Sequence, residues 1–247
     1  MPNSFFQFKQ FTIHQDRCAM KVTTDACLFG AWVSKFQETT PIIIGTKFQV
    51  LDIGTGTGLL SLMYAQKHHS SIIDSIEIDK EAFEQAKENA ATSPFSVQVN
   101  VIHGDAKTFS FSKKYDLIIS NPPFYEREII SGNQTKNLAH HHSGLLLEEL
   151  LLIMKNNLSS YGVFYLLLPF KRNEEIKNIL LKQDLFISEI VFVRQSLKHN
   201  YFRIMIKGNL KKEEQSETII NEISIWDDQQ QYTNDFKELL KDYYWNL

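Results

Sequence analysis

The sequence predicts an α/β fold: a seven-stranded mixed sheet with helices on both faces. Short apolar runs of strand length alternate with longer segments of helical period between about residues 48 and 182. The run Val50-Leu51-Asp52-Ile53 opens directly into Gly54-Thr55-Gly56-Thr57-Gly58, a strand-to-helix turn through three glycines. The last two strand-like runs are joined by a short loop, which makes that pair antiparallel and the sheet mixed.

The elements follow in order. Phe5, Phe6, Phe8, Phe11 and Ile13 form an apolar N-terminal arm with the pattern of a hairpin. Thr24 is placed to cap a helix running to residue 36, and residues 41–46 form a loop. Strands are expected at 48–53, 72–78, 97–103, 115–120, 163–168, 186–193 and 201–207. Helices are expected at 58–68, at 80–91 behind an Asp79 cap, at 143–158 behind a Ser143 cap, and near 173–182. Pro169 ends the fifth strand, since it has no N–H to donate. Residues 121–142 form a long loop, and a short amphipathic helix lies within 233–244. One domain spans 1–247, with an N-terminal arm and helix (1–46), a catalytic core (47–209) and a C-terminal tail (210–247).

Chemistry concentrates at the ends of these strands. Asn121-Pro122-Pro123-Phe124-Tyr125 follows the apolar run 115–120. Two prolines make a stiff elbow there, holding Asn121 at the carboxyl edge, where open α/β sheets bind ligands. The Asn121 side-chain carbonyl and the Pro122 backbone carbonyl are two acceptors, which suits the two hydrogens of an exocyclic amine. Phe124, or next Tyr125, can stack on the ring that carries the amine. The glycine turn is not a dinucleotide fingerprint, because position 59 is Leu, and not a P-loop, because no Lys follows Gly58. Asp52 beside it favours a cationic ligand. Glu77, at the end of the second strand, suits a ribose diol, and Asp105 in Gly104-Asp105-Ala106 can accept from an adenine amine.

Asp52-x-Gly54-x-Gly56-x-Gly58, Glu77, Asp105 and Asn121-Pro122-Pro123-Phe124, in that order, resemble a Rossmann-like class I S-adenosylmethionine-dependent methyltransferase that modifies an amino nitrogen. The segment from Ala19 to Trp32, the run Ala139-His140-His141-His142-Ser143 and the stretch from Gln231 to Tyr244 resemble the bacterial tRNA1(Val) adenine-N6 methyltransferase family. Phe124-Tyr125 stands in the reverse of the expected aromatic order. The resemblance implies S-adenosyl-L-methionine as donor and the adenosine 3′ of the anticodon of a valine tRNA as acceptor. It implies that Asp52, Gly54 and Gly56 surround the methionine part of the donor, that Glu77 holds its ribose, and that Gly58 and Asn121 also belong to the donor site. Asp105 and Ala106 meet its adenine, and Thr24 and Asp25 close the methionine end. Asn121, Pro122, Phe124 and Tyr125 form the catalytic corner. Asn121 and Pro122 hold the amine while its nitrogen attacks the donor methyl in line; the work is positioning and electrostatics.

Composition bounds the rest. No apolar run approaches the ~18 residues of a membrane helix. There is no signal-peptide pattern, and Cys18 and Cys27 make no disulfide framework, so a cytoplasmic location is expected. No metal site is expected, since consecutive His140, His141 and His142 diverge in direction, and a monomer is expected. Net charge is −3, but Arg194, Lys198, Arg203, Lys207, Lys211 and Lys212 form a basic stretch without an acid, a candidate phosphate contact. The alternatives are a guanine-N2 methyltransferase of rRNA, a glutamine-N5 methyltransferase of protein, a DNA adenine methyltransferase or a non-catalytic RNA-binding module. The first three usually carry further domains for which this chain has little room.

Overall fold

The computed structural model describes residues 3–36, 47–123, 145–211 and 217–247. Strands β1 (Phe5–Gln7) and β2 (Thr12–His14) form the expected antiparallel hairpin, with Phe5 opposite His14. Helix α1 (Thr24–Val33) follows. Its cap is Thr23, not Thr24: the Thr23 hydroxyl accepts the Ala26 N–H at 3.3 Å, while Thr24 is already the first helical residue. Two adjacent threonines offer the same cap chemistry, and only the backbone decides between them.

Next come β3 (Gln49–Ile53), α2 (Leu59–Lys67), β4 (Ile72–Glu77), α3 (Lys80–Thr92), β5 (Val99–His103) and β6 (Tyr115–Ser120). Helix α4 (Leu147–Asn157) starts later than expected among the described residues; Ser143 lies outside them, and the Glu149 carboxylate accepts the Leu146 N–H at 2.9 Å. Strand β7 (Leu158–Pro169) begins five residues before the expected 163, because the chain passes from α4 into it without a loop, and ends at Pro169 as expected. A 3-10 turn (Phe170–Arg172), α5 (Asn173–Lys182), β8 (Phe186–Arg194), β9 (Tyr201–Asn209), β10 (Ile219–Ser224) and α6 (Asn234–Leu240) complete the chain.

Among the described residues the main sheet has eight strands, ordered β10-β8-β9-β7-β6-β3-β4-β5, not the seven expected. Strand β9 runs antiparallel to both β7 and β8, which gives the mixed edge. The additional strand β10 pairs parallel to β8. Its segment gave no strand signal because its first four residues are exposed and its composition is mixed. It is held by the ladder, by an Arg194–Glu222 ion pair at 2.7 Å and by an Asn221–Glu189 hydrogen bond at 3.0 Å.

The strands are buried on both sides, so their runs read as continuously apolar rather than alternating. Leu117 and Ile119 pack with α1, α2 and α6, whereas Ile118 packs with α4 and α5 on the other face. The C-terminal segment is built into the first of these clusters. Thr233 caps α6, Phe236 and Leu240 are fully buried, and Tyr243 donates to the Met63 carbonyl at 3.0 Å. The Lys9 N–H meets the Tyr243 carbonyl at 2.8 Å, and the Trp245 indole N–H meets the Phe8 carbonyl at 3.1 Å. Among the described residues no helix is long and apolar enough to cross a membrane.

Phe236→Ala removes a fully buried ring from this cluster and is expected to destabilise the protein by about 3–5 kcal/mol in urea unfolding. A loss under about 1 kcal/mol would show that the C-terminal segment unfolds separately.

Candidate active site

The strand order reverses at β3: the chain adds β4 and β5 on one side and then crosses to place β6 on the other. A crevice at the carboxyl ends of β3 and β6 follows from that topology. Register sets what meets there. Ile53 pairs with Ser120, Ile53 with Ile76, and Glu77 with His103. Gly54, Glu77, Gly104 and Asn121, which the sequence scatters over nearly 70 residues, therefore follow one another along a single edge.

The glycine loop begins with Gly54, whose N–H, like that of Thr55, is taken by the Ile76 carbonyl at 2.9 and 3.2 Å. Gly54, Gly56 and Gly58 all have positive φ, at 73°, 58° and 83°. At Gly58 there is a second constraint: a Cβ would sit 3.6 Å from Ala86 of α3. Beneath the loop Asp52 is fully buried, with Oδ2 accepting the hydroxyls of Thr55 and Ser61, each at 2.7 Å. Burial pushes its carboxyl up to about 6, against the opposing pull of those two donors.

A cavity of about 290 Å³ opens above this loop. Gly54, Gly56, Glu77, Asp105, Ala106, Asn121 and Pro122 line it, as expected from the sequence. Asp52, Gly58, Thr24 and Asp25 do not. Asp52 and Gly58 shape the loop from behind, while Asp25 forms an ion pair with Arg203 at 2.6 Å. The Glu77 carboxylate accepts the N–H of Gly56 at 2.8 Å and of Asp79 at 3.0 Å, so it fixes the loop as well as facing the cavity. Asp79 is the expected helix cap, accepting the Ala82 N–H at 2.8 Å, and it also lines the cavity. The Asp105 carboxylate accepts the Lys107 N–H at 2.9 Å. Phe124, Tyr125 and the three histidines from His140 to His142 lie outside the described residues.

One wall was not legible as such: the segment from Cys18 to Thr23 lines the cavity opposite the glycine loop. The sequence signal was near, in Thr24 and Asp25, but nothing in composition shows that the residues before the helix, with Ala26 of its first turn, line the cavity. The basic stretch also resolves differently from expectation. Arg194, Lys198 and Arg203 are paired with Glu222, Asp228 and Asp25, whereas Lys207 and Lys211 lie over the rings of Phe36 and Tyr161 away from that edge. It is not one continuous cationic stripe; Lys212 lies outside the described residues.

Three carboxylates, Glu77, Asp79 and Asp105, and two lysines, Lys21 and Lys107, stand around an otherwise largely apolar cavity. The carboxylates outnumber the lysines, which suits a ligand that carries a positive charge together with hydroxyls and an amine. The buried Oδ1 of Asn121 has no hydrogen-bond partner among the described residues, so an acceptor is left for a donor that enters the cavity.

Residues 32–177 match the profile described as the methyltransferase small domain. A protein of Christiangramia forsetii named tRNA1(Val) (adenine(37)-N6)-methyltransferase is 38% identical to the chain, covering 100% of both. This chain belongs to the tRNA1(Val) (adenine(37)-N6)-methyltransferase family. A relative of the same name from Bacteroides fragilis is 36% identical over 99% of each chain. Among solved structures, one described as a predicted O-methyltransferase from Agrobacterium tumefaciens matches the fold with a TM-score of 0.63, covering 88% of this chain and 96% of that one at 14% identity. The family member described here is a class I S-adenosylmethionine-dependent methyltransferase, and its cavity fits that donor. Glu77 and Asp105 bring carboxylate acceptors to its lining, and at Gly54 and Gly56 no side chain covers the loop backbone.

The raised Asp52 carboxyl has a consequence for stability. Its ionised form is disfavoured in the folded state, so a penalty is absent below about pH 4 and grows as pH rises through about 6. Asp52→Asn abolishes that dependence. The stability of the variant relative to the parent should rise by up to about 3 kcal/mol between pH 4 and 7, on top of a constant offset. Parallel stability–pH curves for the two proteins would exclude it.

Proposed function

We propose that the protein transfers the methyl group of S-adenosyl-L-methionine to the N6 amino group of an adenosine in tRNA, and that the acceptor is the adenosine 3′ of the anticodon of tRNA1(Val). The observation that carries this is Asn121. It lines the cavity one strand from the glycine loop, beside the buried Pro122, with a buried acceptor that has no partner among the described residues. Full-length relatives at 38% and 36% identity bear the corresponding name, which disfavours the guanine-N2 and glutamine-N5 alternatives. The same proposal takes the chain as a single domain acting as a monomer in the cytoplasm, without a metal, on a valine tRNA.

When bound, the donor supplies an electrophilic methyl on a sulfonium. The protein's part is geometric. Oδ1 of Asn121 and the Pro122 carbonyl accept the two hydrogens of the amine, which orients its lone pair toward the donor's side of the cavity. Pro122 has a fixed φ, and Pro123 after it confines its ψ to the extended region, so the second acceptor cannot turn away. Two fixed acceptors also hold the nitrogen nearer a tetrahedral arrangement, which localises a lone pair otherwise spread into the ring. Preorganised acceptors of this kind are worth several kcal/mol because nothing need reorganise during transfer. The target base leaves its stack to reach the corner, and Phe124 is proposed to receive its face, with Tyr125 as second choice. Glu77 holds the ribose, Asp105 and Ala106 the adenine, and Gly54 and Gly56 the methionine part. Asp52 and Gly58 act through the loop they support.

Asn121→Ala should abolish transfer to unmodified tRNA while leaving donor affinity near that of the parent. Methyl incorporation from labelled S-adenosylmethionine, with nucleoside mass spectrometry of the digested tRNA, reads the first, and calorimetry without RNA reads the second. N6-methyladenosine confined to a valine tRNA is the expected product. A 2-methylguanosine peak, or normal turnover by the variant, would overturn the proposal.

A further inference from the structure

The two walls of the cavity, residues 18–23 and the glycine loop, are joined by a side chain that is not among the residues lining it. Asn89, on α3, is fully buried. Its Nδ2 donates to the carbonyls of His14 and Thr57, both at 2.9 Å, and its Oδ1 accepts the His14 N–H at 2.9 Å. One turn earlier, Gln85 is 1% exposed and its Oε1 accepts the Arg17 N–H at 3.2 Å. Thr57 is part of the cavity wall, and Arg17 leads straight into the other wall at Cys18. That second wall is tied back on itself by Gln15, whose Oε1 accepts the Val22 N–H at 2.7 Å.

The chemistry of the primary amide matters here. One nitrogen carries two diverging N–H groups and the opposite atom is an acceptor, so a single planar group can join a carbonyl on each of two segments and still receive an N–H. A carboxylate of the same shape keeps only the acceptor function, and an alkyl group keeps neither. Removing Asn89 would strand the His14 and Thr57 carbonyls in a buried place, where unmade hydrogen bonds are costly.

We propose that Asn89, seconded by Gln85, is a positioning residue for the methyl donor: it clamps the N-terminal wall to the glycine loop and so sets the width of the cavity. The inference rests on the proposed function only for the identity of the donor, and its test uses no RNA. Asn121 follows directly on β6, and β3 and β4 separate that strand from β5, on which α3 packs, so loosening the clamp weakens donor binding without disturbing the acceptor corner.

Asn89→Asp and the milder Gln85→Ala test this. Calorimetry with S-adenosylhomocysteine should give a Kd raised by about tenfold or more for Asn89→Asp and by less for Gln85→Ala. Hydrogen exchange should quicken at the amides of residues 14–22, and the KM for the donor should rise while kcat at saturating donor stays at the parental value. Affinity and exchange equal to the parent in folded variants, or a fall in kcat at unchanged donor Kd, would overturn the proposal. A lower melting temperature with unchanged Kd would likewise assign Asn89 a purely structural role. A wrong acceptor assignment would appear only in the tRNA assay and leave these measurements untouched.

Discussion

The parallel pairing of β3 with β6 is the constraint on which the site depends. These two strands are 67 residues apart at their paired ends, Ile53 and Ser120, and nothing local brings them together. Once the ladder forms, Gly54 and Asn121 must emerge side by side. A one-residue slip would turn every side chain of β6 to the other face, exchanging Ile118 with its neighbours between two differently shaped cores. Burial on both faces therefore specifies register, and register specifies the crevice. The hydroxyl of Ser120 adds a local check by donating to the Ile53 carbonyl at 2.8 Å.

Around that crevice the acidic residues have two functions each. Glu77 fixes the Gly56 and Asp79 amides, Asp79 caps α3, and Asp105 closes its own turn at Lys107. Each uses only part of its acceptor capacity in doing so, since a carboxylate offers about four lone-pair sites. The remainder is available to a ligand. A site built this way is rigid before anything binds, because the groups that face the ligand are already committed to the backbone that carries them.

Much of the fold was legible because the chemistry of turns is local. The strand-to-helix glycine turn, the Asp79 cap, the Pro169 stop and the Asn-Pro-Pro elbow each depend on a few adjacent residues, and each appears where the sequence put it. What escaped depends on partners distant in sequence. β10 is a strand because β8 offers it an edge, not because Ile219 and Ile220, both exposed, demand burial. The wall at Cys18–Thr23 exists because α3 and Gln15 hold it there. Asp25, which looked like a ligand, is taken by Arg203 from 178 residues away. In the same way the basic stretch, continuous in sequence, is divided in space by the direction of β9, and Arg194, Lys198 and Arg203 are neutralised by acids from elsewhere.

The contacts between residues 6–9 and 243–245 couple two segments that are far apart in sequence. Phe8 and Lys9 receive their partners from Trp245 and Tyr243, and Phe6 packs against the ring of Tyr244. The hairpin that leads into the cavity wall is therefore seated on the segment that follows α6 and not on its own sequence neighbours. Opening of residues 243–245 removes the support of that hairpin, so a disturbance far from the glycine loop in sequence reaches the wall of the cavity through two short stretches of chain.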